Sequence, residues 1–414
     1  MSNTFVASTL VSKDAAVHFK NFNTFISTGQ MTFSEMWQNG QYDAGDSISV
    51  RLDNQFQVKR GDTVTVGEVQ EQTRALTLQP LYSVPVEYTT TDFTKNMYHG
   101  WSDRVLKPAV QNLISKMNAD IATAAVTQLN YYGANAISAS INSFADIEDP
   151  GTILLDLGVP LDEKWYFALT PKDKSAVGSA LQNSFNPTLN EEISFGSRLG
   201  RLSYFDIMMD QSIATYTPGI ALGTDNLIND TSISDGDSTL VLDGIDNDGT
   251  LVAGMAFSVD NSVVSGAALC KSVNRITKAS TGRDMQFVVT ANATISSGAA
   301  TITVSPTMRD NTVPELQNVS SLPVDNASIT WSAGTDTNHK VNTAYTRNGL
   351  QLAMPPLAEL DTPESSTFTD KDSGISIRVS KSAEILNNKN ILRLDALLGY
   401  VWMPEQAIRV HSAV

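Results

Sequence analysis

The chain has 414 residues, 41% hydrophobic and 17% charged, with 28 Lys and Arg against 44 Asp and Glu, a net charge of −16. That apolar content suits two or three folded domains of about 150 residues each and excludes a wholly disordered chain. The acidic excess argues against non-specific nucleic-acid binding, which needs a basic face to displace counterions. A single cysteine, Cys270, excludes an intrachain disulfide framework and any multi-cysteine metal site.

Residues 1–44 are polar, with scattered aromatics such as Phe5, Phe19, Phe33 and Trp37 that follow no period. They read as an N-terminal arm that packs on its own core or on another copy of the chain. Neither a basic n-region nor a long apolar run opens the sequence, so no secretory signal is expected. No stretch reaches the roughly 20 apolar residues of a membrane span. The expectation is a soluble protein made in a cytoplasm.

Residues 45–92 read as a long β-hairpin. Ile48, Val50 and Leu52 alternate onto one face, and Val84, Val86 and Tyr88 are the expected return strand. Between them lie Lys59-Arg60-Gly61-Asp62, Glu68, Glu71 and Arg74, a mixed-charge stretch with a glycine turn. A lone two-stranded hairpin is marginal in water, so this one must lie on something else.

Residues 101–132 carry the clearest helix signal. Val105, Ala109, Leu113, Met117, Ile121, Ala124 and Ala125 recur every three or four positions, with Pro108 expected in the first turn and Gly133 as the cap. Next comes a mixed α/β region. Pro150 is expected to open a short helix ending at Gly158. Trp165 to Leu169 reads as a buried strand, and Thr170-Pro171-Lys172-Asp173 as a helix start.

From about residue 225 to 338 the composition turns to Ser, Thr, Asp, Asn, Gly and Val. Strands are expected at Thr239–Leu242, Ala256–Val259, Gln286–Thr290 and Thr301–Val304, separated by turns such as Asp235-Gly236 and Ser297-Gly298. Short strands with frequent turns predict a small antiparallel barrel or sandwich. The earlier style resumes in Ser376–Val379 and in Tyr400-Val401-Trp402, so the barrel reads as an insertion in a discontinuous α/β domain.

The motifs of catalysis are missing: no phosphate loop, no zinc helix, no nucleophile elbow. His18, His99, His339 and His411 are far apart in sequence, and no enzyme activity or cofactor is expected. Cys270 reads as a small buried apolar residue. Seven aspartates between Asp225 and Asp248 stand in a stretch with no Lys or Arg. Asp246-Asn247-Asp248-Gly249 resembles part of a calcium loop. Gly244 at the first ligand position and Met255 in place of the bidentate Glu fail that test. A solvated loop, or an acidic patch docking a basic partner surface through Asp243, Asp246 and Asp248, fits better. Tyr131-Tyr132 and Trp165-Tyr166-Phe167 read as core rather than as a sugar platform.

The order of parts is arm, hairpin, long helix, α/β domain, β-rich insertion and α/β return. It resembles the major capsid proteins of tailed phages with the Hong Kong ninety-seven fold. More narrowly it resembles the P-twenty-two-type coat proteins, which carry an inserted β-barrel. Gly45 to Val50 and Val84 to Tyr88 resemble the flanks of that family's extended loop. Leu154 to Pro160 with Trp165 to Pro171 resemble its axial and peripheral domains, and Ser376 to Val379 with Asp395 to Val401 its final strands. The sequence departs from the family at Ala253-Gly254-Met255, where relatives often have a Gly-Asp pair before a strand.

The resemblance implies an α+β capsid fold with an N-terminal arm at 1–44, an extended β-hairpin loop at 45–92 and a spine helix with peripheral and axial parts at 93–224. An all-β barrel at 225–338 and a return segment at 339–414 complete it. It implies a structural coat protein, built as hexamers and pentamers into an icosahedral shell around double-stranded DNA. A scaffolding protein and a portal are the partners during assembly in the host cytoplasm, the virion capsid is the final location, and no membrane is involved. Some relatives of the fold join a Lys to an Asn. Lys59 is the one donor placed for it, but the branch resembled does not cross-link and none is expected. Interface candidates are Arg51, Asp53, Lys59, Arg60, Asp62, Glu68, Glu71 and Arg74 in the loop, with Asp243, Asp246 and Asp248 in the barrel. Two other readings compete: a β-rich adhesive or glycan- and calcium-binding virion protein, and the shell of a protein-filled nanocompartment.

Overall fold

The computed structural model describes residues 12, 14–16, 24–31, 47–56, 58, 60, 62, 69–92, 94, 102–130, 140–181, 200–219, 226–245, 249–332, 338–361, 364–370 and 374–414. The chain forms two compact units. The first takes Met1–Val50, Ala75–Ile121 and Leu350–Val401, and the second Arg51–Arg74, Ala122–Gly349 and Trp402–Val414.

Two antiparallel sheets occupy the first unit. One runs Glu364–Thr369, Ser376–Glu384, Lys389–Ala396, Tyr82–Thr89. Its inner face carries Ile377, Val379, Leu392 and Leu394, all buried, as strand alternation requires. On the opposite face Asp395 is wholly buried and held by two cations: Arg378 Nη2 at 2.7 Å and Arg393 Nε at 2.6 Å. The other sheet runs Ser47–Arg51, Thr73–Leu78, Gly399–Trp402, Leu350–Ala353.

This pairing corrects the sequence reading of the hairpin. The partner of Ser47–Arg51 is Thr73–Leu78. The expected return strand, with Val84, Val86 and Tyr88, lies instead in the first sheet, in register with Leu394, Leu392 and Asn390. The cause is Pro80, which has no N–H for a ladder and bends the chain between the two strands.

The long helix runs Lys107–Gln128, with Pro108 in its first turn, where a missing N–H costs little. Within the first unit its buried stripe is Ala109, Leu113, Met117 and Ile121, with Val110 and Ile114 filling in. The expected cap Gly133, and Tyr131-Tyr132, lie outside the described residues.

The second unit holds a sheet and a barrel. The sheet order is Ala407–Ala413, His339–Thr346, Trp165–Leu169, Phe205–Met209, Arg201–Leu202, and only Trp165–Leu169 with Phe205–Met209 is parallel. The helix before it runs Phe144–Asp156, so it starts before Pro150, contrary to expectation. Ser143 and Asp146 form a reciprocal capping box that opens the helix early and leaves Pro150 inside it. Gly158, at φ +89, ends it in a left-handed turn, with its N–H on Leu155 O at 2.9 Å.

The helix Pro171–Leu181 starts as expected. Thr170 Oγ1 accepts from Asp173 N at 3.1 Å and donates to Asp173 Oδ2 at 2.7 Å. That oxygen also accepts from Asn342 Nδ2 at 2.9 Å and Ser412 Oγ at 2.6 Å. A wholly buried carboxylate thus joins the helix to two strands with its charge fully hydrogen-bonded, as burial demands.

The insertion is a closed six-stranded barrel: Ala256–Asp260, Gln286–Val289, Ala300–Ser305, Thr239–Asp243, Leu227–Ile228, Ser328–Trp331 and back to the first. Ala300, Ile302 and Val304 point inward, joining Leu240, Leu242, Phe257 and Phe287. Its two ends meet: Leu227 pairs with Ser328, and Ile228 N donates to Ala327 O at 3.0 Å. Adjacent ends are what let a domain sit inside another without disturbing it.

In the departing stretch Ala253-Gly254-Met255 the backbone requires the glycine. It adopts φ +96, and a Cβ there would come within 2.5 Å of Val126 Cγ1. Its carbonyl accepts at 2.8 Å from Nη1 of the fully buried Arg409, which also donates to Val126 O at 2.7 Å.

Candidate assembly surfaces

The base of the loop that the sequence places between Arg51 and Arg74 is laced together among the described residues. Leu52 N donates to Gln72 O at 2.9 Å, and Arg51 faces Glu71 at 3.6 Å, both side chains open to water. An ion pair that exposed contributes less than about 1 kcal/mol. Asp53, Arg60 and Asp62 are exposed. So are three apolar side chains: Phe56 at 62%, Val58 at 94% and Val69 at 60%. Lys59 and Glu68 lie outside the described residues.

Arg74 is different from the other loop candidates. Its Nη2 donates to Glu405 Oε1 at 3.0 Å, and both side chains are mostly covered. Burial pushes the Glu405 carboxyl up, but the charges of Arg74 and Arg275 outweigh it and hold the group below the usual carboxylate range. Arg74 is therefore committed to its own subunit.

On the barrel, Asp243 is half-buried at the end of a strand, opposite Leu227, and Asp246 and Asp248 lie outside the described residues. The acidic stretch has a local use that the sequence did not announce. Asp230 and Asp237 accept from the backbone N–H groups of Ser232 and Ser234 at 3.0 and 2.7 Å. Asp235 accepts from Arg309 Nη1 at 2.8 Å and from Asp310 N at 3.0 Å. Short acidic side chains here build turns.

A second exposed apolar feature went unread in the sequence. Ile385 and Leu386, at the turn between Ser376–Glu384 and Lys389–Ala396, are 92% and 94% exposed. The signal was available: two aliphatics beside Asn387-Asn388, where a turn should be polar.

Two buried titratable groups among the described residues are strongly shifted. Burial pushes the Cys270 thiol up to about 12. His411 is held well below the usual imidazole value by burial, then by Arg409 and His339, whose ring lies 4.2 Å away. Among the described residues no three His, Cys, Asp or Glu side chains converge as a metal site.

Residues 254–411 match the family described as P22 coat protein, gene protein 5. No curated protein matches the chain. Among solved structures, the chain is similar to one from Mycobacterium phage Che8 at 8% identity, covering 94% of this chain and 90% of that one, with a TM-score of 0.46. The capsid of Ralstonia phage GP4 gives 8% identity, 94% and 88% coverage and a TM-score of 0.47. The CUS-3 coat protein I-domain gives 21% identity over 26% of this chain and 96% of that one, with a TM-score of 0.19. At these scores the structural likenesses carry no weight of their own, and the argument rests on the family match, which runs from Gly254 in the barrel to His411 in the sheet strand Ala407–Ala413. That match covers residues 254–411, and together with the order of parts it supports a structural major capsid role of the P22 coat-protein type.

Proposed function

We propose that copies of this chain form the hexamers and pentamers of an icosahedral tailed-phage shell, assembled in the host cytoplasm with a scaffolding protein and a portal, and closed around double-stranded DNA. The extended loop carries this reading. Among its described residues it presents Phe56, Val58 and Val69 to solvent, and its limbs are linked at the base by the Leu52–Gln72 backbone bond and the exposed Arg51–Glu71 pair. A two-stranded ribbon with bare apolar side chains is marginal alone and is stabilised by lying on a neighbour.

A shell needs only modest contacts, because each subunit makes several at once. The net charge of −16 fits a subunit that avoids clinging to packaged DNA. The chain acts as a wall and performs no catalysis.

The test is assembly itself. Purified subunits, alone or with a scaffolding partner, are expected to give closed shells by negative-stain microscopy. Small discrete oligomers under every assembly condition would overturn the reading.

A further inference from the structure

One turn of the inserted domain, outside the closed barrel, contacts the outgoing limb of the extended loop and lends its charge to the carboxylate that holds the return limb. Asn274–Ala279 joins the strands Lys271–Val273 and Ser280–Asp284. Asn274 organises it: its Oδ1 accepts from Ile276 N at 2.9 Å and Thr277 N at 3.0 Å, and its own N–H donates to Ala279 O at 2.9 Å. The turn is seated on the end of the helix Phe144–Asp156. Asn274 Nδ2 donates to Asp156 O at 2.8 Å, and Arg275 N donates to Leu157 O at 3.1 Å. A side chain at Gly158 would clash, since its Cβ would lie 2.8 Å from Asn274 Oδ1. Arg283 Nε adds an ion pair to Asp156 at 2.8 Å.

Two cations leave this seated turn. Lys278, held at φ +56, sends its amine to Gln55 Oε1 on the outgoing limb and to Glu315 O, the latter at 2.9 Å. Arg275 places its charge on Glu405, the carboxylate that grips Arg74 on the return limb. Burial and the nearby Arg275 lower the Lys278 amine to about 8, which fits a side chain packed into a junction rather than waving in water.

We propose that the turn Asn274–Ala279 is a latch by which the inserted domain fixes the direction of the extended loop, and so sets how sibling copies meet. The second half of that statement rests on the shell reading above. The first half concerns a single subunit.

The experiment separates the two. Hydrogen exchange is measured on the soluble, unassembled full chain at Leu52–Phe56 and Val69–Arg74, for wild type, Lys278→Met, Lys278→Arg and Arg275→Gln. Lys278→Met keeps the packed stem and removes the donor. It is expected to speed exchange in both limbs about tenfold, leaving the barrel strands protected, while Lys278→Arg keeps most of the protection. Should Lys278→Met fail to fold, Gln55→Ala breaks the same link from the exposed side.

Exchange unchanged in Lys278→Met, or in Gln55→Ala, overturns the latch. The same variants are then assembled, and particles of widened or altered diameter are expected. Loosened limbs with wild-type diameters overturn the link from latch to shell geometry. A wild type that never assembles overturns the shell reading, and the exchange result still decides the latch.

Discussion

The inserted barrel and the strand pair that carries the extended loop are both β structure, yet they solve the edge problem in opposite ways. The barrel closes Ala256–Asp260 onto Ser328–Trp331, so no strand edge is left free, and its inward residues fill its own interior. The loop has one paired neighbour at its base, and beyond it Phe56, Val58 and Val69 are bare. Closure removes the template for pairing with another chain, whereas an open ribbon offers one. The contrast separates two dependencies: the barrel is complete within one chain, and the loop is the part proposed to be completed by a sibling.

Deleting Gln57–Glu71 should give the largest effect. Assembly is expected to be lost, while the subunit keeps its circular dichroism and its cooperative melting. A deletion variant that assembles at the wild-type rate removes the neighbour-docking role. The matching cut in the barrel is Phe257→Ala, which empties a wholly buried position between Phe287 and Trp331. It should cost about 3–5 kcal/mol in chemical denaturation, read in isolated subunits with no assembly present. A loss under about 1 kcal/mol would mean the barrel is not a self-sufficient core.

A third change sharpens the comparison outside both regions. Replacing Ile385 and Leu386 by Ser alters side chains that touch almost nothing in the monomer, so stability should move by no more than about 0.5 kcal/mol. Assembly yield, followed by light scattering, should fall several-fold if this turn meets a sibling. Wild-type kinetics would leave the exposed pair without a role and make the extended loop the sole apolar contact proposed.

Much of the first region was legible from the sequence, and less of the second. The barrel strands at 239, 256, 286 and 301 show alternation bounded by glycine turns, a local signal that local structure obeys. The spine helix has the same virtue, since its period of three to four residues is its packing face. The errors came where one residue outvoted a pattern. Pro80 redirected an alternating strand into another sheet, and the Ser143–Asp146 box started a helix that Pro150 was expected to open.

The assembly candidates were read from charge alone, and charge does not say who the partner is. Arg74 is engaged by Glu405 within the chain, and three aspartates of the acidic stretch are engaged by turns. Lys278 gave no signal, because Gln55 lies 223 residues away and no periodicity connects them.

The smallest effect concerns that lysine and the pH. Its folded amine titrates at about 8, against 10.5 in the unfolded chain. Between those values the unfolded state holds a proton that the folded state has released, so folding releases protons and stability rises with pH across the window. Lys278 is half-covered, and water screening keeps the gain small. Tyrosines oppose it at the upper end. Tyr216, raised to about 12 by burial, keeps its proton when folded and loses it when unfolded above about 10, which favours unfolding. The clean reading is therefore between pH 7.5 and 9.5, as the difference between wild type and Lys278→Met. The wild-type urea midpoint should rise relative to the variant across that interval. Parallel profiles would mean that the amine sits in water, and the inserted domain would then have no buried grip on the outgoing limb of the loop.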